Sequence, residues 1–335
     1  MSSDAGTAAG TRKRFFRYVG RVPWLSTFVI FAGLFIVFAV LSPGNYFLTR
    51  DNMEIFLAAE AEFGIIALAV GVLMISGEFD LSVGSVLAFC SLTFLKLQGT
   101  GMNGLLALTL TILAGMAIGL FNGVITVKTQ IPSFITTLGG LLLWRGITLF
   151  WSGGQQQGLE TESIRVLYNV IGGTKVGFVP IQFFWLIGIT LVAVFFVSHH
   201  KLGNWVYVTG DNKLAARAMG IKTDRIKIAC FMIVGAAVGF VSVMQMFRAG
   251  TFTARAGDGL ELQMVAAAVL GGTALTGGVG SVFGIFWGAL IIALIDNGLV
   301  LMRVQYWWTF TVFGFIIILS VIIGKIIEKR RTGVG

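Results

Sequence analysis

Charged residues are scarce in this sequence. Asp, Glu, Lys and Arg make up 12% of its 335 residues, whereas soluble domains contain about 25%. So few charges do not keep a soluble protein of this size dissolved when 56% of the residues are hydrophobic and the mean hydropathy is +0.90. A soluble enzyme or soluble binding protein is therefore excluded, and a membrane protein built of helices remains.

Proline and cysteine are also scarce, with four and two residues. This composition excludes collagen-like and disulfide-rich folds, and we expect Cys90 and Cys230, far apart in apolar runs, to be buried free thiols. The phosphate-binding pattern G-x-x-x-x-G-K-[ST] is missing, and no catalytic triad or set of metal ligands is evident. We therefore expect no catalytic residue, no metal and no cofactor on this chain, so that any energy input comes from elsewhere.

Apolar runs fill most of the chain. We predict an all-α polytopic membrane protein of about ten transmembrane helices, because a straight span needs about 20 apolar residues. The predicted spans are 25–42, 54–75, 83–97, 104–127, 133–151, 181–198, 226–248, 262–275, 279–299 and 307–326. The third and the eighth are too short to cross a membrane alone, so both are predicted to be interrupted helices.

The basic residues are distributed unevenly along the chain, which has a net charge of +9. Ten spans with both termini in the cytoplasm place 16 of the 24 lysines and arginines on the inner side, as the positive-inside rule requires. The charge thus indicates a topology with both termini in the cytoplasm and no nucleic-acid partner. The predicted parts are a basic cytoplasmic tail at 1–24, a transmembrane domain at 25–327 with an inner segment at 203–221 and an outer loop at 152–180, and a cytoplasmic tail at 328–335.

Acidic residues are predicted to form a rim on the outer side. They are Asp51, Glu54, Glu60, Glu62, Glu160 and Glu162. The rim is either a docking surface or a solvated edge.

Two glycine-rich breaks, 76–85 and 271–281, adjoin the two short spans, and both carry the tetrapeptide Val-Gly-Ser-Val. Interrupted helices at corresponding positions point to the central pathway of a transporter, and intramembrane polar residues are functional candidates. The residues predicted to line the pathway are Glu78, Phe79, Asp80, Ser82, Asn122, Phe134 and Asn297. Two alternatives remain open: Asp80 or Ser82 caps the third span, or Glu78 and Asp80 relay protons.

Small residues recur every fourth position in three spans. Gly115, Gly119 and Gly123 form one stripe, Gly280, Gly284 and Gly288 a second, and Gly235 with Gly239 a third. Such stripes permit close helix crossing, either inside one chain or between subunits.

Capping signals in the long inner segment at 203–221 predict a short helix. Asp211 or Asn212 can cap it, the residues from Lys213 to Met219 are good helix formers, and Gly220 suits its end. Its small side chains fit a cleft on a partner; the alternative is a helix lying on the membrane surface. The candidate contact residues are Gly210, Asp211, Asn212, Ala215, Ala216, Arg217 and Gly220.

Several stretches together resemble a known family, the permease subunit of bacterial monosaccharide ATP-binding-cassette importers of the ribose, xylose, arabinose and galactose type. They are 77–85, 131–139, Arg145-Gly146 with 152–154, 210–220 and 269–278. The resemblance implies a multi-pass protein of the bacterial inner membrane that forms the transport pathway for a simple sugar or polyol, in a homodimer or a heterodimer with a related permease. Relatives also carry branched-chain amino acids or nucleosides, so these solute classes stay open. The resemblance also implies cytoplasmic ATPase subunits that bind Mg-ATP, a periplasmic sugar-binding protein, and a coupling role for 210–220 on the ATPase.

The chain departs from the family pattern at two places. The family usually has a second glycine and an aliphatic residue where this chain has Glu78 and Phe79, and acidic residues where it has Lys213 and Leu214. Because glycine is usual at the first position, Glu78→Gly is expected to impair transport less than Asp80→Ala. The competing function, suggested by Glu78 and Asp80, is an ion-coupled secondary transporter or facilitator that acts without an ATPase.

Overall fold

The computed structural model describes residues 23–305, 307–309, 311–316, 318, 319 and 322. The predicted amino-terminal tail, apart from its last two residues, and the predicted tail at 328–335 lie outside the described residues. The described part is dominated by helices. In chain order they are α1 (Pro23–Leu41), α2 (Arg50–Ile75), α3 (Val83–Gly99), α4 (Gly104–Thr129), α5 (Ser133–Ser152), α6 (Arg165–Tyr168), α7 (Ile181–His199), α8 (Lys201–Asp211), α9 (Lys213–Ala218), α10 (Thr223–Ala249), α11 (Leu260–Leu270), α12 (Val282–Leu301) and α13 (Trp307–Ile316).

Within the described residues, seven helices are long and apolar enough to cross a membrane: α1, α2, α4, α5, α7, α10 and α12. Three shorter apolar helices, α3, α11 and α13, occupy the positions of the predicted third, eighth and tenth spans. The all-α membrane fold is therefore confirmed, and the third and eighth segments are short, as predicted.

The central helix is α2. The side chains from Phe56 to Ile75 are mostly buried, and α7, α10, α11 and α12 pack around it. A helix that is apolar on all sides is expected at such a position.

The glycine stripes lie at helix crossings inside the chain. A side chain at Gly115 would collide with the carbonyl oxygen of Gly235, which joins α4 to α10. In the same way Gly288 meets the carbonyl oxygen of Ala267, which joins α12 to α11. Of the two alternatives for these stripes, the structure supports packing within one subunit.

In the part of the chain that the structure describes, four two-residue strands lie at one end of the bundle, which we call the β end. Gln157–Gly158 (β1) pairs antiparallel with Thr251–Phe252 (β4), and Lys175–Val176 (β2) pairs with Val179–Pro180 (β3). The first pair ties the predicted loop 152–180 to the end of α10. The opposite end carries α8 and α9, and we call it the α9 end.

The amphipathic helix α8 was not anticipated from the sequence, where its residues were assigned to a loop. Gly203, Val206 and Thr209 form its buried face. This three-residue spacing is typical of one face of a helix. It was missed because polar residues lie between the three positions.

Candidate functional site

The two glycine-rich breaks meet at the α9 end. The N–H group of Gly278 donates to the carbonyl oxygen of Ile75 (2.8 Å). A Cβ atom on Gly277 would lie 2.7 Å from the Cα atom of Gly77. The backbones of the first and second breaks are therefore in direct contact.

The end of α8 is the third part of this contact. A side chain on Gly210 would collide with the carbonyl oxygen of Ile75. The Tyr207 hydroxyl donates to the carbonyl oxygen of Gly280 (3.0 Å), and burial raises the pKa of this phenol, so it stays a neutral donor. We call the set 75–77, 207–211 and 276–280 the glycine junction.

Helix α9 follows directly and is held by its own polar contacts. The Asn212 Oδ1 atom accepts from the N–H groups of Leu214 (3.1 Å) and Ala215 (3.0 Å), so Asn212, and not Asp211, is the cap. At the other end, Arg217 donates to Asp224 (2.7 Å) and to the Thr223 hydroxyl (3.0 Å). These contacts at both ends hold the short helix α9 in place against the start of α10.

The outer face of α9 is apolar. Leu214 is 77% exposed and Met219 is 63% exposed, with Ala215 and Ala218 exposed beside them. Ala216, in contrast, is fully buried against the chain itself. The predicted contact residues thus divide: Gly210 and Ala216 face inward, whereas Asp211, Asn212, Ala215, Arg217 and Gly220 are reachable. Leu214 and Met219 were missed, because only exposure in the fold distinguishes them from core residues.

The first break is fastened by side chains from two neighbouring helices. Glu78 forms an ion pair with Lys227 of α10 (2.5 Å), and both side chains are nearly buried. The Phe79 N–H group donates to the Ser133 hydroxyl of α5 (3.0 Å). The break is therefore an ordered segment.

Asp80, Ser82 and Asn122 form one buried network. The Asp80 carboxylate accepts from the N–H group (2.8 Å) and the hydroxyl (2.6 Å) of Ser82, whose oxygen accepts from the Asn122 side chain of α4 (2.9 Å). Ser82 occupies the N-cap position of α3 without a side-chain capping bond. The network joins the break to α4 rather than capping α3 from within.

The other two predicted pathway residues are not part of this hydrogen-bond network. Phe134 is 55% exposed on α5. Asn297 is near the β end, where it exchanges two hydrogen bonds with Asn52 (3.0 and 3.2 Å). The structure therefore brings Glu78, Phe79 and the Asp80 network together at one break and does not join Phe134 or Asn297 to them.

The predicted acidic rim is wrong for two of its members. Glu60 and Glu62 are buried in α2. Glu62 makes a bidentate ion pair with Arg248 of α10 (2.7 and 2.8 Å). Neither carboxylate oxygen of Glu60 has a hydrogen-bond partner in the described part of the chain.

Comparison with known proteins identifies the kind of chain that carries this junction. Residues 52–321 match the family described as "Branched-chain amino acid transport system / permease component". The chain is 33% identical over 292 residues to the ribose import permease protein RbsC of Escherichia coli strain K12, which covers 87% of this chain and 90% of RbsC. It is 33% identical over 282 residues to the autoinducer 2 import system permease protein LsrC of Yersinia enterocolitica, covering 82% and 75% of the two chains. For LsrC of Photorhabdus laumondii the identity is 32% over 278 residues, with 82% and 81% covered.

Proposed function

The chain belongs to the family of permease components of branched-chain amino acid transport systems, and we propose that it forms the pathway of an ATP-driven importer for a simple sugar or polyol. It is a transporter subunit and not an enzyme, and a multi-pass protein of the bacterial inner membrane. The observation that carries the choice of solute class is the similarity, along most of the chain, to a ribose import permease.

Helix α9 is the part that receives the ATPase in this proposal. Its exposed apolar face can dock into a groove on the ATPase. The residues directly before α9 belong to the glycine junction. A push on α9 reaches Ile75 of α2 and Gly278 of the second break through backbone contacts. Backbone atoms in contact leave no compressible side chain between them, so the displacement is transmitted to the membrane helices.

The charge at the α9 end supports a cytoplasmic position for it. The basic residues there are Lys201, Lys213, Arg217, Lys222, Arg225 and Lys227, and such a concentration is typical of cytoplasmic loops. In the proposed topology ten helices cross the membrane, both termini are cytoplasmic, and the β end faces a periplasmic sugar-binding protein. Mg-ATP is bound by separate cytoplasmic subunits, and a second permease, identical or related, completes the pathway.

The contacts of Glu78 and Asp80 favour this function over ion coupling. Lys227 neutralises Glu78, and Ser82 occupies an oxygen of the buried Asp80. Both carboxylates are thus engaged by partners within the chain, which supports a structural role in the first break.

Reconstitution tests the proposal. The chain, its ATPase and its binding protein are placed in vesicles, and uptake is measured with the sugar that the binding protein selects from a panel of pentoses, hexoses and polyols. We expect uptake to require ATP and to vanish with an ATPase variant that does not hydrolyse it. Uptake by the chain alone, abolished by a protonophore, would establish the secondary transporter instead.

A further inference from the structure

We propose that a crevice near the β end, inside a single subunit, binds a neutral polyhydroxylated solute; this site rests on the import function proposed above. The crevice has a volume of about 350 Å³ and is lined by residues of α2, α3, α10, α11 and α12. Pockets for small molecules start at about 300 Å³, so the space is suited to one monosaccharide.

Three helices contribute polar side chains with free hydrogen-bonding capacity to this crevice. Gln245 lies on α10, Gln263 on α11 and Asp296 on α12. None of these three side chains has a hydrogen bond or ion pair within the described ranges. Gln245 and Gln263 are partly buried and Asp296 is exposed, so all three can be reached from the crevice. A solute that enters this space therefore finds hydrogen-bonding groups on three helices that are not already used by the protein.

The charged groups of the crevice select against anions. Arg248 is held by both oxygens of Glu62, so this pair is neutral overall and fixed in orientation. Asp296 then adds an unpaired acceptor. Hydroxyl groups donate to a carboxylate and both donate to and accept from glutamine amides, whereas a phosphorylated or carboxylated solute is repelled.

The apolar residues of the lining can pack against the C–H face of a sugar ring. Phe56, which is 4% exposed, and the partly buried Phe63 belong to the wall. Small-molecule sites combine apolar and aromatic walls with a few orienting polar groups. An acyl chain of a lipid fits the wall but leaves both glutamines unpartnered, and the charge of Asp296 repels an anionic headgroup.

Cysteine labelling tests the crevice directly. Gln263→Cys and, on another helix, Gln245→Cys are made in the complete complex with ATPase subunits, in nanodiscs of defined phospholipid. The native Cys90 and Cys230 are buried, so a membrane-impermeant maleimide reports the introduced thiol. The probes are D-ribose, D-xylose, D-galactose and glycerol.

We expect one of these probes to slow the labelling of both thiols about tenfold when present at about ten times its Kd, because labelling then follows the unoccupied fraction. Val176→Cys is the control: Val176 is 65% exposed on β2 and outside the crevice, so its labelling does not change. A labelling rate that none of the four probes changes would overturn the site. A labelling rate that changes only with the phospholipid composition would overturn it as well.

The result separates the site from the function on which it rests. ATP-dependent uptake and ATP hydrolysis stimulated by the binding protein are measured for the wild-type chain and the Val176→Cys control, reconstituted with the ATPase in closed vesicles. Normal ATP-driven uptake without protection of either thiol eliminates the crevice and leaves the importer. Protection without ATP-driven uptake supports the crevice and eliminates the importer.

Discussion

Gly210 lies so close to the carbonyl oxygen of Ile75 that no Cβ atom fits between α8 and the end of α2. The same carbonyl accepts the N–H group of Gly278. One peptide oxygen thus joins the central helix, the second break and the helix that leads into α9.

Replacing Gly210 with alanine tests this contact. The added methyl group must displace backbone rather than a flexible side chain, so we expect a lower Tm and loss of transport-coupled ATP hydrolysis. The matched control is Gly188→Ala in α7, where a Cβ atom meets nothing within 4 Å and alanine favours the helix by about 1 kcal/mol. Wild-type uptake by the Gly210 variant would show that the junction is not rigid.

Adjacent alanines of α9 separate docking from folding. Ala215 is exposed, so Ala215→Trp should insert normally, keep its Tm and lose stimulation of the ATPase, because the indole blocks the groove on the partner. Ala216 is fully buried, so Ala216→Trp should lower the Tm of the isolated chain. Thermal unfolding of the chain alone and ATP hydrolysis by the complex distinguish the two variants. Normal stimulation of ATP hydrolysis by the Ala215→Trp variant would contradict the docking face.

The ion pair of Glu78 with Lys227 is expected to respond to charge reversal. Glu78→Gln leaves an almost buried ammonium group unpaired, which costs about 3–5 kcal/mol. Glu78→Gly leaves the same ammonium group unpaired, so we expect it to lower the Tm as well. Uptake by Glu78→Gly and Asp80→Ala, measured side by side, tests the prediction that the first impairs transport less. The double variant Glu78→Lys with Lys227→Glu should recover most of the Tm that the single variants Glu78→Lys and Lys227→Glu lose. A double variant whose loss equals the sum of the two single losses would mean that the charges do not interact.

Two glutamates of α2 should tolerate glutamine differently. Glu60→Gln removes a buried carboxylate that lacks a partner and is expected to leave the Tm unchanged or raised. Glu62→Gln takes the charged partner from Arg248 and should cost about 1–3 kcal/mol. Tm values measured side by side in one detergent check the order, and a larger loss at Glu60 would reverse it.

The sequence predicted the two glycine-rich breaks, but it did not predict that they contact each other and α8. Gly77 and Gly277 were predicted only as parts of the two breaks, and Gly210 as a contact residue for a partner. Their mutual contact spans large separations along the chain, which no local pattern records. The same holds for Glu62 and Arg248, separated by 186 residues.

Composition and hydropathy by themselves determined a helical membrane protein with two short segments, because the lipid phase requires apolar helices of a set length. Capping residues likewise determined α9. The packing of the folded chain sets which residues face each other. Glu60 and Glu62 are buried, Ala215 is exposed whereas Ala216 is buried, and Asn297 lies at the opposite end of the bundle from Glu78 and Asp80. The physical reason is that a helix apolar on nearly every side carries no record of which neighbour it will pack against.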